Sequence, residues 1–317
     1  MAELPFRQKR LNCYFDKGKL FYLEYNFRLL LYLWRTPFDV VCAIDLDTAL
    51  PAVITARLKS KPWVFDAHEY FSEMHEIVTR PIIHKVWKWV ERFVVKKAAY
   101  AYTISDGYAR MYLEEYGQTF LVVKNVPVLK PLPDGIVKTN TIIYQGALNE
   151  GRGLPESVEA MKVLDDLQLN IYGDGPLRLA LEDAAAELRE TVRLHGSIAP
   201  QKLRELTPSA WCGLTLFSDR GRHHRHSLAN RFFDYIHAGV PQIAMNYPEY
   251  KRFNERFEVA VLIEELTPSA IVDAVKQLKT NQALYNRLVQ NCQRARLEVN
   301  WQKEEKTLID LYNRIPL

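Results

Sequence analysis

Short apolar runs alternate with amphipathic stretches along almost the whole chain. In the second half the runs are TIIYQG (141–146), LNIYG (169–173), VRLHG (192–196), WCGLTLF (211–217), PQIAMN (241–246) and VAVLI (259–263). Most are near-continuous rather than alternating, which is how a strand buried on both faces reads. Between them, LRLALEDAAAELRE (177–190) and SAIVDAVKQLK (269–279) carry helical periodicity. The alternation predicts βα units on a parallel sheet. The first half repeats it with DVVCAID (39–45), PWVFDAH (62–68), YAYTIS (100–105) and FLVVKN (120–125) as strands and a long helix over 81–98. Pro and Gly concentrate in VPVLKPLPDGIVK (126–138), which marks a linker between two doubly wound halves. We place a first domain over 1–136 and a second over 137–300, with a last helix over 301–317 packing back on the first. In that helix Leu308, Leu311 and Tyr312 form one stripe. Ligands of such sheets bind at the carboxyl ends of the strands, so the cleft between the domains is the expected site.

Length agrees with two domains, since 317 residues is about twice the usual ~150 per domain. Apolar residues at 48% and charged residues at 25% exclude collagen-like and wholly disordered chains. The formal net charge of +4 is too small to argue for a nucleic-acid partner, so an anionic ligand has to be met locally. Cys13, Cys42, Cys212 and Cys292 form no CxxC pair, which leaves neither a zinc ribbon nor a disulfide framework and suits a reducing cytoplasm. No secretory leader is visible, and no apolar run reaches the ~20 residues a membrane span requires.

Three segments at strand ends of the second half could carry chemistry. QGALNEGRGLPES (145–157) follows a strand and opens a helix. Gly146, Gly151 and Gly153 permit close backbone approach, and Arg152 adds a charge for a phosphate. Taken alone, the loop reads equally as a helix-capping turn. YGDGPLR (172–178) places Gly173 and Gly175 in a tight turn that is either plain or faces a planar base. SDRGRHHRHSLANRFFDYIHAGVP (218–241) brings Arg220, Arg222, Arg225 and three histidines ahead of Ser227, taken as a helix cap. On the helix, 227, 231 and 234 have the spacing of one face, so Ser227, Arg231 and Asp234 would act together, with Asn230 beside them. A diphosphate at the helix start and a carboxylate one to two turns on would suit a nucleotide sugar. The alternative is a solvated basic loop before a core helix.

These segments, in this order, resemble the donor-binding domain of the family-4 glycosyltransferases of GT-B fold: a strand and Gly-rich loop with a basic residue, a GDGP turn, HG at a strand end, then a carboxylate followed by Gly-x-Pro. KGKLFYLEYN (17–26), AIDLDT (43–48), FDAHEYF (65–71), TISDG (103–107) and KNVP (124–127) extend the resemblance over the first half. It implies two Rossmann-like domains facing a central cleft. It also implies a retaining transfer of sugar from a nucleotide-diphosphate donor to a glycan or lipid-linked acceptor in polysaccharide biosynthesis. No further cofactor and no metal are implied, the nucleotide sugar being the substrate. By the same resemblance Arg152 stands where the family has its donor-phosphate Lys, Asp234 where a carboxylate holds ribose hydroxyls, and His68 where an active-site His faces the acceptor; Arg231 or the Arg220–Arg225 loop is the candidate for a second phosphate cation. Ser197, Ile198, His226, Ser227 and Asn230 complete the expected donor contacts. The chain departs from the pattern at Ala147, where the family often has Arg, and at His226, where it has Glu. SLANR (227–231) is closer to variants reading Ser-x-x-Asn-Lys. The resemblance further implies that an opening βα unit is absent. A nucleotide-sugar epimerase and a non-catalytic nucleotide-binding partner subunit are the rival readings.

Two further segments have a sharper and a plainer reading. FDAHEYFSEMHE (65–76) holds His68, Glu69, Glu73 and His75, but histidines seven apart do not make the HExxH spacing that puts two imidazoles on one metal. RPIIHKVWKWVERFVVKKAAY (80–100) mixes Trp87, Trp89 and Phe93 with Lys85, Lys88, Arg92, Lys96 and Lys97. It is either a core helix with a basic outer face or a helix lying on the inner, anionic face of a membrane.

Overall fold

A computed structural model of the chain describes residues 6–219 and 222–316. Contacts divide it into two units, one of residues 1–104, 108–122 and 309–317, the other of 105–107 and 123–308. The first carries α1 (Gly18–Arg35), β1 (Val41–Ile44), α2 (Leu46–Leu58), β2 (Trp63–Ala67), α3 (His75–Val78), α4 (Pro81–Val95), β3 (Tyr100–Thr103), most of α5 (Asp106–Tyr116) and β4 (Leu121–Val122). All four strands are parallel, in the order β1-β2-β3-β4. Every residue of WVFDA in β2 is buried, as a central parallel strand requires. Its core packs Ala49 and Val53 of α2 and Val94 of α4 around Phe65 of β2 and the rings of Tyr70, Tyr108 and Tyr112.

The second unit runs β5 (Thr141–Gln145), α6 (Leu154–Ala160), β6 (Gln168–Tyr172), α7 (Arg178–Ala184), β7 (Val192–Gly196), α8 (Pro200–Leu206), β8 (Cys212–Thr215), α9 (Arg222–Arg225), α10 (Asn230–His237), β9 (Gln242–Met245), α11 (Pro248–Phe257), β10 (Ala260–Ile263), α12 (Pro268–Thr280) and α13 (Gln282–Glu298). The last helix, α14 (Trp301–Asn313), begins in this unit and ends among residues of the first. The six strands are parallel in the order β10-β9-β8-β5-β6-β7. Strand order therefore reverses between β5 and β8, and such a reversal opens a crevice at the carboxyl ends of the strands on either side. β8 and β9 are buried at every residue. Helix starts are marked chemically: Pro takes the first turn of α8, α11 and α12, and the side chains of Thr267 and Asn281 accept from Ala270 N and Leu284 N to cap α12 and α13.

All ten strand segments expected from the sequence form strands. Two helix expectations change. The stretch 177–190 is helical only over Arg178–Ala184, and beyond it Leu188 N bonds back to Ala185 O and Val192 N to Leu188 O. Good helix formers give way there because the chain must turn to feed β7, and propensity worth tenths of a kcal/mol per residue does not resist that. Helix α10 starts at Asn230 with Ala229 at its cap. Ser227 is therefore not a cap. Its Oγ donates to His223 O, and it shares no helical face with Arg231 and Asp234.

Candidate functional site

At the reversal of strand order, the ends of β5, β6 and β7 are joined backbone to backbone. Gly146 N donates to Tyr172 O at 3.0 Å and Gly173 N to Gly196 O at 2.9 Å. A Cβ on Gly173, whose φ is +149°, would lie 1.8 Å from Gly146 O, so no other residue fits. Gly175 follows in the turn, against the backbone of Leu148. The loop after β5 is bound to the loop after β8 by Ser218 N donating to Gly151 O at 2.8 Å. Gly151 and Gly153, both left-handed, flank Arg152, whose guanidinium lies 5.9 Å from the centre of the Phe217 ring.

Arg231 reaches the same spot from α10. Its side chain is only 4% exposed, held between the faces of Tyr144 (4.7 Å from ring centre) and Phe217 (4.4 Å). One terminal nitrogen donates to Leu216 O at 3.2 Å and the other to Tyr144 Oη at 3.4 Å. A Cβ built on Gly146 would stand 3.3 Å from the Arg231 Nη1 and 3.9 Å from the Arg152 Nη1. Two guanidinium groups thus border one glycine at a strand end. Among the described residues neither has a carboxylate partner. Placing uncompensated cations together costs free energy, which an anion in the crevice would recover.

One residue back along β5, the Gln145 side chain links this spot to Asp234. Gln145 Nε2 donates to Asp234 Oδ2 at 2.8 Å, and Gln145 Oε1 accepts from Thr207 Oγ1 at 3.0 Å. Burial pushes the Asp234 carboxyl up to about 6, against the opposing pull of the Gln145 hydrogen bond and the charge of Arg204. Asp234 makes no ion pair with Arg231. It opens instead onto a groove of about 680 Å³, whose walls include Gln145, Thr207, Arg204 and Asn230.

Other expected donor contacts are dispersed. Ser197 is exposed and Ile198 half-buried at the exit of β7, outside the groove lining. Asn230 is exposed on the first turn of α10, and its Oδ1 accepts from Asn125. His226 and Ser227 lie before that helix, and the His226 carbonyl accepts from Ser105 Oγ. In the Arg-rich loop, Arg225 is paired with Asp219 at 3.0 Å. Arg220 lies outside the described residues, as does the side chain of His75. Among the described residues, no group of three or more His, Cys, Asp or Glu side chains is placed to hold a metal ion.

His68 belongs to the first unit, just past β2. Its Nε2 lies 3.1 Å from the Asp66 carboxylate, which also accepts from Tyr102 Oη at 2.7 Å. The Asp66 hydrogen bond raises the imidazole above its ordinary value. Beside it Asp45, between β1 and α2, has φ +57°, ψ 172°, a conformation that glycine favours and that costs another residue ~1–3 kcal/mol. Burial pushes the Asp45 carboxyl up to about 6, although it accepts from Glu69 N at 2.9 Å.

The family model described as glycosyl transferases group 1 matches residues 134–295, just over half of the chain. The chain belongs to glycosyl transferases group 1. No curated protein matches it. Among solved structures, this group 1 chain superposes on sucrose-phosphate synthase of Thermosynechococcus elongatus with a TM-score of 0.76 at 16% identity, covering 95% of this chain and 80% of that one. HepE of Anabaena, in complex with UDP and glucose, gives 0.73 at 12% identity, with 94% and 84% covered. A variant of S. aureus TarM, in complex with fondaparinux, alpha-GlcNAc-glycerol and UDP, gives 0.71 at 14% identity, with 90% of this chain and 58% of that one covered. The fold is α/β, of GT-B class.

In this glycosyl transferases group 1 chain, Gly146, Gly173, Arg152, Arg231 and Asp234, all named from the sequence, lie near one strand end, together with groups that the sequence did not single out. Tyr144 and Phe217 lie in predicted strands and Gln145 at the start of the Gly-rich segment, with nothing in their residue types to mark a role, and Thr207 and Arg204 lie outside every candidate segment. The usable signal was position, because Tyr144 and Gln145 close the strand beside the Gly-rich loop.

Proposed function

We propose that this chain is a nucleotide-sugar glycosyltransferase of the family-4 type, acting on a glycan or lipid-linked acceptor in polysaccharide biosynthesis. The observation that carries the reading is the convergence of Arg152 and Arg231, without carboxylate partners, on Gly146 at the reversal of strand order. A diphosphate there accepts from both guanidinium groups, which stabilise the negative charge that builds on it as the bond to the sugar breaks. Arg231 supplies the cation that Ala147 does not. Asp234 accepts from the ribose hydroxyls, and the groove beside it takes the base. His68, oriented by Asp66, holds an acceptor or sugar hydroxyl. Transfer with retention at the anomeric carbon and without a metal ion belongs to the same reading. UDP is the first nucleotide to test, since HepE and TarM are solved with it.

The test is a thermal-shift panel of UDP, GDP and ADP, followed by product analysis with the matching nucleotide sugar, with and without an oligosaccharide acceptor. A selective rise in melting temperature and acceptor-dependent release of nucleotide are expected. Sugar isomerisation without an acceptor would establish the epimerase reading instead, and tight binding without turnover the partner-subunit reading.

A further inference from the structure

The outer face of α4 has a composition that the donor site does not explain. Its inner face is fixed, with Val90, Val94 and Val95 buried in the core of the first unit. Facing outward, Ile82, Val86 and Trp89 are 78%, 55% and 63% exposed, and their spacing of four and three residues makes them one stripe. Phe93 continues the stripe, stacked on Trp89 at 6.1 Å with the Lys97 Nζ 4.2 Å above its ring. Lys85, Arg92 and Lys96 are exposed along one side of the stripe. The carboxylate of α4, Glu91, is turned inward with Lys88, into a cluster that includes Glu115 and the Tyr116 hydroxyl. The outer face therefore presents large apolar groups and cations and no acid. A helix on an aqueous surface normally carries mixed charges there.

We propose that this face is a docking surface for an anionic lipid bilayer. Trp89, Ile82 and Val86 enter the headgroup boundary, while the long side chains of Lys85, Arg92 and Lys96 reach anionic headgroups beside them. The charge of the face selects lipid over a second copy of the same surface, which would set like charges against each other. No helix among the described residues is long and apolar enough to cross a membrane, and the contact is interfacial. Lys88 takes no part, being committed to Glu91 and Glu115. The surface is independent of the donor reading and stands or falls separately from it.

The experiment is flotation of the full chain with vesicles of phosphatidylcholine alone and of equal parts phosphatidylcholine and phosphatidylglycerol. Binding only to the anionic vesicles, weakening as salt rises, is expected. Lys85→Glu, Arg92→Glu and Lys96→Glu together should weaken it by roughly a hundredfold, each lost cation being worth about fivefold. Trp89→Ala should weaken it with the charges intact. The control is Lys162→Glu, Lys202→Glu and Arg256→Glu in the second unit, an equal charge change that should leave most of the binding. Since all these side chains are exposed, unchanged melting temperatures certify the folds. Equal binding to neutral vesicles, absence of binding at low salt, or an equal loss in the control would overturn the proposal.

Discussion

Arg231 is a buried cation held by ring faces, one carbonyl and one hydroxyl, and its Nε has no hydrogen-bond partner among the described residues. Arg231→Met keeps much of the packing and removes the desolvated charge, so the melting temperature should hold or rise while affinity for UDP falls at least about tenfold. Arg231→Lys should not rescue binding, because an ammonium cannot reproduce the planar fork stacked between Tyr144 and Phe217. Asp234 makes a second, pH-dependent case. Its carboxyl titrates at about 6 when folded against 3.8 ordinarily. The folded state therefore favours the protonated form, and its advantage is full below pH 4 and lost as pH rises through 6. Asp234→Asn should accordingly be more stable than the parent at pH 7 to 8, by ~1–3 kcal/mol, with the difference vanishing near pH 4. In the proposed ribose role binding runs the other way, since hydroxyls that donate to Asp234 favour its ionised form. Parent affinity should fall as pH drops below 6, and the Asn variant should bind about tenfold more weakly at pH 8 with a flat profile. Calorimetry and melting curves across this range measure both.

Strands were legible in the sequence because parallel strands buried on both faces write continuous apolar runs, and the Gly-rich loop was legible because backbone proximity leaves a residue-type signature. The tightest case is Gly173, where Gly173→Ala should destabilise the second unit severely, since a Cβ at 1.8 Å from Gly146 O forces the strand ends apart. Helix limits were less legible. The end of α7 and the start of α10 are set by where the chain must go next, and Ser227 looks like a cap only until the turn from α9 takes its hydroxyl. The roles of the positioning side chains were not legible, since Tyr144 in an apolar strand looks like any core residue and Gln145, although it opens the Gly-rich segment, looks like any strand end. Another element, α1, has no buried residue, and Leu20, Leu23, Phe27, Leu31 and Trp34 are exposed at spacings of three and four. Such a stripe binds hydrophobic dyes. Leu23→Glu with Phe27→Glu should lower dye fluorescence without lowering the melting temperature, as neither side chain supports the core.

Each unit of the molecule has its own core, and the proposed duties divide the same way: Gly146, Arg152, Arg231 and Asp234 lie in the second unit, His68 and Asp66 in the first. His68→Ala should then leave UDP affinity within about twofold while lowering the transfer rate by about a hundredfold, the cost of misplacing a reacting hydroxyl. Two units were legible from the repeated strand-helix alternation, but their limits differ from the expected ones: the Pro- and Gly-rich segment 126–138 lies inside the second unit, whose main run begins at 123, and of the last helix only the residues from 309 on join the first unit, Leu311 being the buried member of its stripe. In the proposed function the paired arginines form a diphosphate site that needs no metal ion. Isothermal calorimetry of UDP, UMP and uridine with excess chelator, on the parent and on Arg231→Met, tests it directly. UDP is expected to bind the parent at least about tenfold tighter than UMP, and UMP tighter than uridine, with the UDP preference collapsing in the variant. Equal affinity of the parent for all three ligands, an unchanged UDP preference in Arg231→Met, or binding abolished by the chelator would contradict it.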